Sequence, residues 1–76
     1  MSYGYSLRLI ERNNQANEKR LGVQLGRACI KHNVPVTVVA SRFGVTRQTV
    51  YNWFSGASSP AEPLHGLVTH YISALT

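Results

Sequence analysis

Residues 37 to 56, TVVASRFGVTRQTVYNWFSG, restrict the fold more than any other part of the chain. Val36, Val39, Ala40 and Phe43 recur at i, i+3, i+4 and i+7, the spacing of one helix face. Taken alone, the valine run also fits a strand. Gly44 follows, where a left-handed residue ends a helix at least cost. Thr46 is a good N-cap for the next helix, whose buried face is Val50, Trp53 and Phe54. Two short helices joined by so tight a turn cross steeply and need a small residue where they meet. Ala40 is that residue, and Val39, Phe43, Val45, Val50 and Trp53 are expected to share one core.

This arrangement leaves Arg47, Gln48, Tyr51 and Asn52 on the exposed face of the helix after the turn, with Thr49 at its edge. Such side chains suit base edges in a DNA major groove: Arg pairs bidentately with guanine, Gln or Asn with adenine. Thr46 and the free N–H groups of the helix start suit a phosphate. Tyr51 fits surface packing, a phosphate contact or a thymine methyl group, and Arg42 fits a solvated charge or a backbone contact equally well.

Around this centre the chain reads as helical. From Glu18 to His32, Leu21, Leu25, Ala28 and Cys29 follow helical spacing, with Asn14 or Asn17 as the expected cap. Gly22 and Gly26, four apart on one face, are expected to admit another backbone at close range. Lys19, Arg20, Arg27 and Lys31 read as the solvated face of this helix, with some of them in reach of phosphates but none singled out. Pro35 ends the pattern at His32–Val34. Residues 55 to 60 read as a loop, with Pro63 in the first turn of a last helix. Its stripe of Leu64, Leu67, Val68, Tyr71, Ile72 and Leu75 is expected to close the core. Residues 1–17 are read as an extension of uncertain form, and residues 18–76 as the domain. Tyr3, Tyr5, Leu7 and Leu9 alternate like a strand, while Leu7 and Ile10 also fit a short helix. The fold class is therefore all-α, a small bundle of four to five helices around a central helix-turn-helix.

Composition narrows the function. A chain of 76 residues makes one domain, too small for a large buried active site. Eight Lys/Arg against three Asp/Glu give a formal charge of +5, which favours polyanions. No apolar run reaches membrane-span length and the N-terminus lacks signal-peptide character, so a soluble, cytoplasmic chain is expected. Cys29 reads as a small core residue. The spacing of His65 and His70 does not suit a shared metal, and no acid–base or nucleophile motif stands out. No enzyme activity, cofactor or metal is expected.

Residues 36 to 55 resemble the helix-turn-helix of the phage repressor and Cro-like superfamily (lambda repressor-like), in Ala40, Gly44 and the spaced apolar positions. Trp53-Phe54-Ser55-Gly56 and the Pro60 before a last amphipathic helix extend the resemblance over roughly residues 18 to 75. The resemblance implies an all-helical domain that binds operator DNA, usually as a dimer, with the helix after the turn in the major groove. It assigns base reading to Arg47, Gln48 and Asn52, and phosphate contacts to Thr46, Ser55 and the loop through Ser58 and Ser59. The family often places a phosphate-clamping glutamine where this chain has Val36; Thr37 or backbone N–H groups are the substitutes.

The resulting expectation is a phage or mobile-element transcriptional regulator, a repressor occluding a promoter on double-stranded DNA. It is expected to act as a homodimer paired through the Tyr3–Leu9 segment, because the last helix is needed for the core. One rival reading is a basic protein that inhibits transcription by binding host RNA polymerase or another protein, favoured by the N-terminal extension and the non-core Val38. A second is an excision or DNA-packaging accessory factor.

Overall fold

The computed structural model describes residues 5–76, so the part of the N-terminal expectation that falls on Tyr3 lies outside the described residues. Five α-helices form one bundle: α1 (Leu7–Gln15), α2 (Leu21–Lys31), α3 (Val36–Phe43), α4 (Arg47–Ser55) and α5 (His65–Leu75). A single 3-10 turn, Glu62–Leu64, precedes α5 and carries Pro63. No strand occurs among the described residues, so both the valine run and the N-terminal alternation resolve as helix.

The centre of the molecule is α4, which packs against α1, α2 and α3, while α5 lies on α2. Val50 and Phe54 are fully buried and Trp53 nearly so. Burying a side chain such as Phe54 contributes about 1.5–3 kcal/mol. Val23, Leu25, Cys29, Val39 and Val68 complete the solvent-free interior. Val45 and Phe43 are half-buried, at the margin of the core rather than inside it.

Local signals explain most boundaries. At the end of α3, Gly44 adopts φ 66°, the N–H of Val45 reaches the Ala40 carbonyl at 3.0 Å, and the N–H of Gly44 that of Ser41 at 3.4 Å. These bonds satisfy carbonyls that the helix end leaves open. Asn33 (φ 56°) ends α2 with the same pattern, Val34 bonding back to Cys29 at 2.9 Å. The expected asparagine cap of α2 does not form. The connection from α1 occupies residues 16–20, so α2 begins only at Leu21, with Arg20 as its uncapped N-terminal neighbour. Asn14 lies within α1, and the Asn17 side chain accepts from the Lys19 N–H at 2.9 Å.

Gly22 does admit a second backbone, whereas Gly26 makes room for the side chains of Asn13 and Phe54. A Cβ on Gly22 would lie 2.8 Å from both Cβ and the carbonyl oxygen of Trp53. One on Gly26 would lie 2.6 Å from the Asn13 amide nitrogen and 2.9 Å from the Phe54 ring. The glycines set how closely α2 and α4 approach.

The two ends of the chain differ most from expectation. Ser6 caps α1 by accepting the Leu9 N–H at 3.1 Å, and Tyr5 and Leu9 join the core while Leu7 stays 77% exposed. Tyr5 stacks on Phe54 with ring centroids 6.1 Å apart, and its hydroxyl donates to the Val34 carbonyl. In α5 and the 3-10 turn before it, by contrast, only Val68 is buried; Leu67 is 60% exposed and Leu64, Tyr71, Ile72 and Leu75 are half-covered. Tyr5, just before α1, covers Phe54, and α5 leaves part of its stripe uncovered. Tyr5 and Leu9 are thus occupied within the monomer and are not free to pair across a two-fold axis. Apolar surface is left exposed at Leu7 on α1 and at Leu67 on α5.

Candidate nucleic-acid interface

Thr46 starts α4 as expected: its hydroxyl accepts the Thr49 N–H at 3.2 Å and lies 3.0 Å from the Thr49 hydroxyl. With Val50, Trp53 and Phe54 drawn inward, helical spacing carries Arg47, Gln48 and Tyr51 outward, and all three are exposed. Thr49 and Asn52 are half-buried at the edges of this face. The Gln48 amide donates to the Asn52 side-chain oxygen at 3.0 Å, one turn along. This bond holds two amide side chains in one orientation, with further donors and acceptors open to solvent. No acidic residue lies on α4.

The residues expected to meet phosphates are distributed around α4 rather than gathered at one point. Thr46 is at its N-terminal end. At its C-terminal end the Ser55 hydroxyl donates to the Asn52 carbonyl at 3.3 Å, and the Ser58 N–H reaches the same carbonyl at 3.2 Å. Arg20 is drawn into this loop, with its guanidinium 3.0 Å from the Gly56 carbonyl and 3.5 Å from the Ser59 hydroxyl. Arg20 is a candidate contact that helical spacing alone does not single out, because its partners are 36 and 39 residues away.

On α3, Val36 is buried, so the first residue of that helix serves the core and has no side chain to offer a phosphate. Thr37 beside it is exposed. Arg42, at the other end of α3, holds its guanidinium 5.8 Å from the centre of the Tyr71 ring. The Tyr71 hydroxyl is shifted above the ordinary phenol value, chiefly by burial and next by Cys29, with Arg42 opposing the shift. Arg27 pairs with Glu18 at 3.0 Å.

An open groove of about 320 Å³ runs between α1 and α4, lined by Ser6, Arg8, Leu9, Arg12, Gln48 and Tyr51. Two arginines of α1 therefore share a depression with two expected base-reading side chains. Arg8 and Arg12 carry no local signal in the sequence, because residues 1–17 fit either a strand or a helix and their neighbour α4 is some forty positions away.

The Cys29 thiol is fully buried and its pKa is pushed up to about 12 by burial, which removes it as a nucleophile at neutral pH. Among the described residues no group of three His, Cys, Asp or Glu is placed to hold a metal ion, and no helix is long and apolar enough to cross a membrane. Comparison with known protein families, curated proteins and solved structures finds no match.

Proposed function

We propose that this protein binds double-stranded DNA with sequence preference, laying α4 in the major groove, and acts as a transcriptional regulator of the phage repressor and Cro-like kind. The observation that carries this reading is the exposed face of α4, where Arg47, Gln48 and Tyr51 stand beyond a left-handed glycine turn and a Thr46 cap. That face carries no carboxylate, and the whole chain has a formal charge of +5. Arg47 pairs with guanine, and the linked Gln48 and Asn52 amides offer the donor and acceptor that adenine requires. Tyr51 supplies apolar contact to a thymine methyl. Thr46, with the N–H groups of the first turn, takes one phosphate; Arg20, Ser58 and Ser59 take another at the far end of the helix.

A domain of this size on a promoter acts most simply by occlusion, so repression in the cytoplasm is the proposed outcome. One α4 reads only a few base pairs, too few to select a site in a genome. Two copies on a palindrome, about one helical turn apart, meet that need. The pairing surface is α5, where Leu67 is exposed and residues 63–76 carry no Lys, Arg, Asp or Glu, so two basic chains can approach there without repulsion.

A second reading rests on Val38, which is 49% exposed in the first turn of α3. An apolar side chain there suits a protein partner, such as a component of the transcription machinery, better than a phosphate backbone. Selection of bound fragments from random-sequence DNA separates the two: a preferred sequence supports DNA reading, and its absence favours the protein partner.

A further inference from the structure

The six arginines of the chain divide into two sets. Arg20 is hydrogen-bonded to Gly56, Arg27 is paired with Glu18, and Arg42 lies over Tyr71. The guanidiniums of Arg8, Arg12 and Arg47 have no intramolecular hydrogen bond or ion pair among the described residues. Arg47 opens α4, and Arg8 and Arg12 line the groove that Gln48 and Tyr51 line from the α4 side. Among the described residues, the arginines without partners are thus those on or beside the exposed face of α4.

Folding gives only a weak reason for the pair: Arg12 sits in the last turn of α1, where a cation suits the helix dipole. Like charges four residues apart on one helix repel each other. Glu11, the one carboxylate on α1, forms no ion pair with either and does not line the groove. Their helix is nonetheless held firmly against α4. Asn13, one turn beyond Leu9, donates to the Phe54 carbonyl at 2.7 Å and to that of Val23 at 3.2 Å, and Tyr5 ties the start of the segment to Val34. Two exposed cations one turn apart on a helix held beside that face suit a ligand with regularly spaced negative charge.

We propose that α1 is a second DNA-contacting element, in which Arg8 and Arg12 hold backbone phosphates on the rim of the groove that α4 enters. This rests on the DNA-binding reading above and adds to it a contact that supplies affinity and register, not base preference.

The test uses the full chain, a duplex carrying the sequence recovered by selection, and binding titrations over a range of salt. The variants are the double substitution Arg8→Ala with Arg12→Ala, and the double substitution to Lys. Each neutralised phosphate contributes a slope of about 0.9 to the fall of log affinity with log salt, so the alanine variant is expected to lose about 1.8 of the parent's slope. Between roughly 50 and 200 mM salt, the parent then loses about tenfold more affinity than the variant. The alanine variant keeps the same preferred sequence and helical circular dichroism, and the lysine variant restores the parent slope. An alanine variant with the parent's slope and affinity overturns the role of α1 while leaving α4 as the reader. A changed preferred sequence with an unchanged slope also overturns it, because α1 would then read bases. A parent that selects no sequence overturns both readings and leaves the basic face to a protein partner.

Discussion

The side-chain amide of Asn13 donates to the main-chain carbonyl of Phe54 at 2.7 Å, joining the first helix to the end of the fourth. That carbonyl lies in the last turn of α4, where the helix itself supplies no donor. Asn13 is the only buried polar residue among the described residues, with a side chain 1% exposed. Replacing it with Ala leaves the Phe54 carbonyl buried without this partner, at a cost of about 1–3 kcal/mol. Asn13→Asp costs more, because it sets a carboxylate against two carbonyl oxygens. Thermal melts of the two variants should rank in that order; an Asp variant as stable as the parent contradicts the contact.

Three glycines separate packing from helix propensity. Gly22→Ala puts a methyl 2.8 Å from the Trp53 carbonyl oxygen and forces α2 and α4 apart. Overpacking of this kind costs about 1–3 kcal/mol. Gly44→Ala meets nothing within 4 Å, yet its φ of 66° makes it unfavourable by about 1 kcal/mol. Gly66, inside α5, also has open space around it and no positive φ, so Gly66→Ala should stabilise by about 0.5–1 kcal/mol. Denaturant titrations of the three variants should give two losses and one gain. A stabilising Gly22→Ala would contradict the close approach.

Pairing through α5 predicts that Leu67→Asp weakens self-association by on the order of tenfold or more, equivalent to about 1.4 kcal/mol, with little change in the melting temperature of the monomer. Deleting residues 1 to 10 should instead lower the melting temperature, because it removes Tyr5 and Leu9 from the core. Sedimentation of each chain, free and on DNA, distinguishes the effects. A parent that stays monomeric on a palindromic site contradicts dimeric binding.

Alkaline pH should unfold the protein through two buried acids. Burial pushes the Cys29 thiol from 9.0 up to about 12, and burial, followed by Cys29, raises the Tyr5 hydroxyl well above its ordinary value. Both groups hold their protons longer in the folded chain than in the unfolded one. The unfolded state therefore binds fewer protons above about pH 9, and stability falls as pH rises. Below that pH the contribution is fully present. Cys29→Ala should reduce the slope of stability against pH between 9 and 12. At neutral pH, thiol reagents should modify Cys29 only as fast as the chain opens.

The helices on either side of Gly44 were legible in the sequence because their signals are local: a glycine, a capping threonine and apolar residues three and four apart. The close approach of α2 was legible for the same reason, from Gly22 and Gly26. The first helix was not, since Tyr5, Leu7 and Leu9 alternate while the face that is buried turns on Asn13. Nothing near Asn13 in sequence indicates a buried amide whose acceptor is 41 positions away. The last helix misled in the opposite direction. Its stripe correctly marks an apolar face, but spacing cannot tell how much of that face the rest of the chain covers. For the candidate site, the outward face of α4 followed from the pattern of its inward face, whereas Arg8, Arg12 and Arg20 depend on long-range packing.

Base reading by α4 is measured most directly by the affinity of parent, Arg47→Ala and Gln48→Ala for the sequence recovered by selection, at physiological salt. The parent should recover a preferred sequence. Each variant should lose about 1–3 kcal/mol of specific binding, roughly five- to 150-fold, while its melting temperature stays that of the parent. Recovery of no preferred sequence, or variants that bind the selected site as the parent does, would contradict base reading by α4.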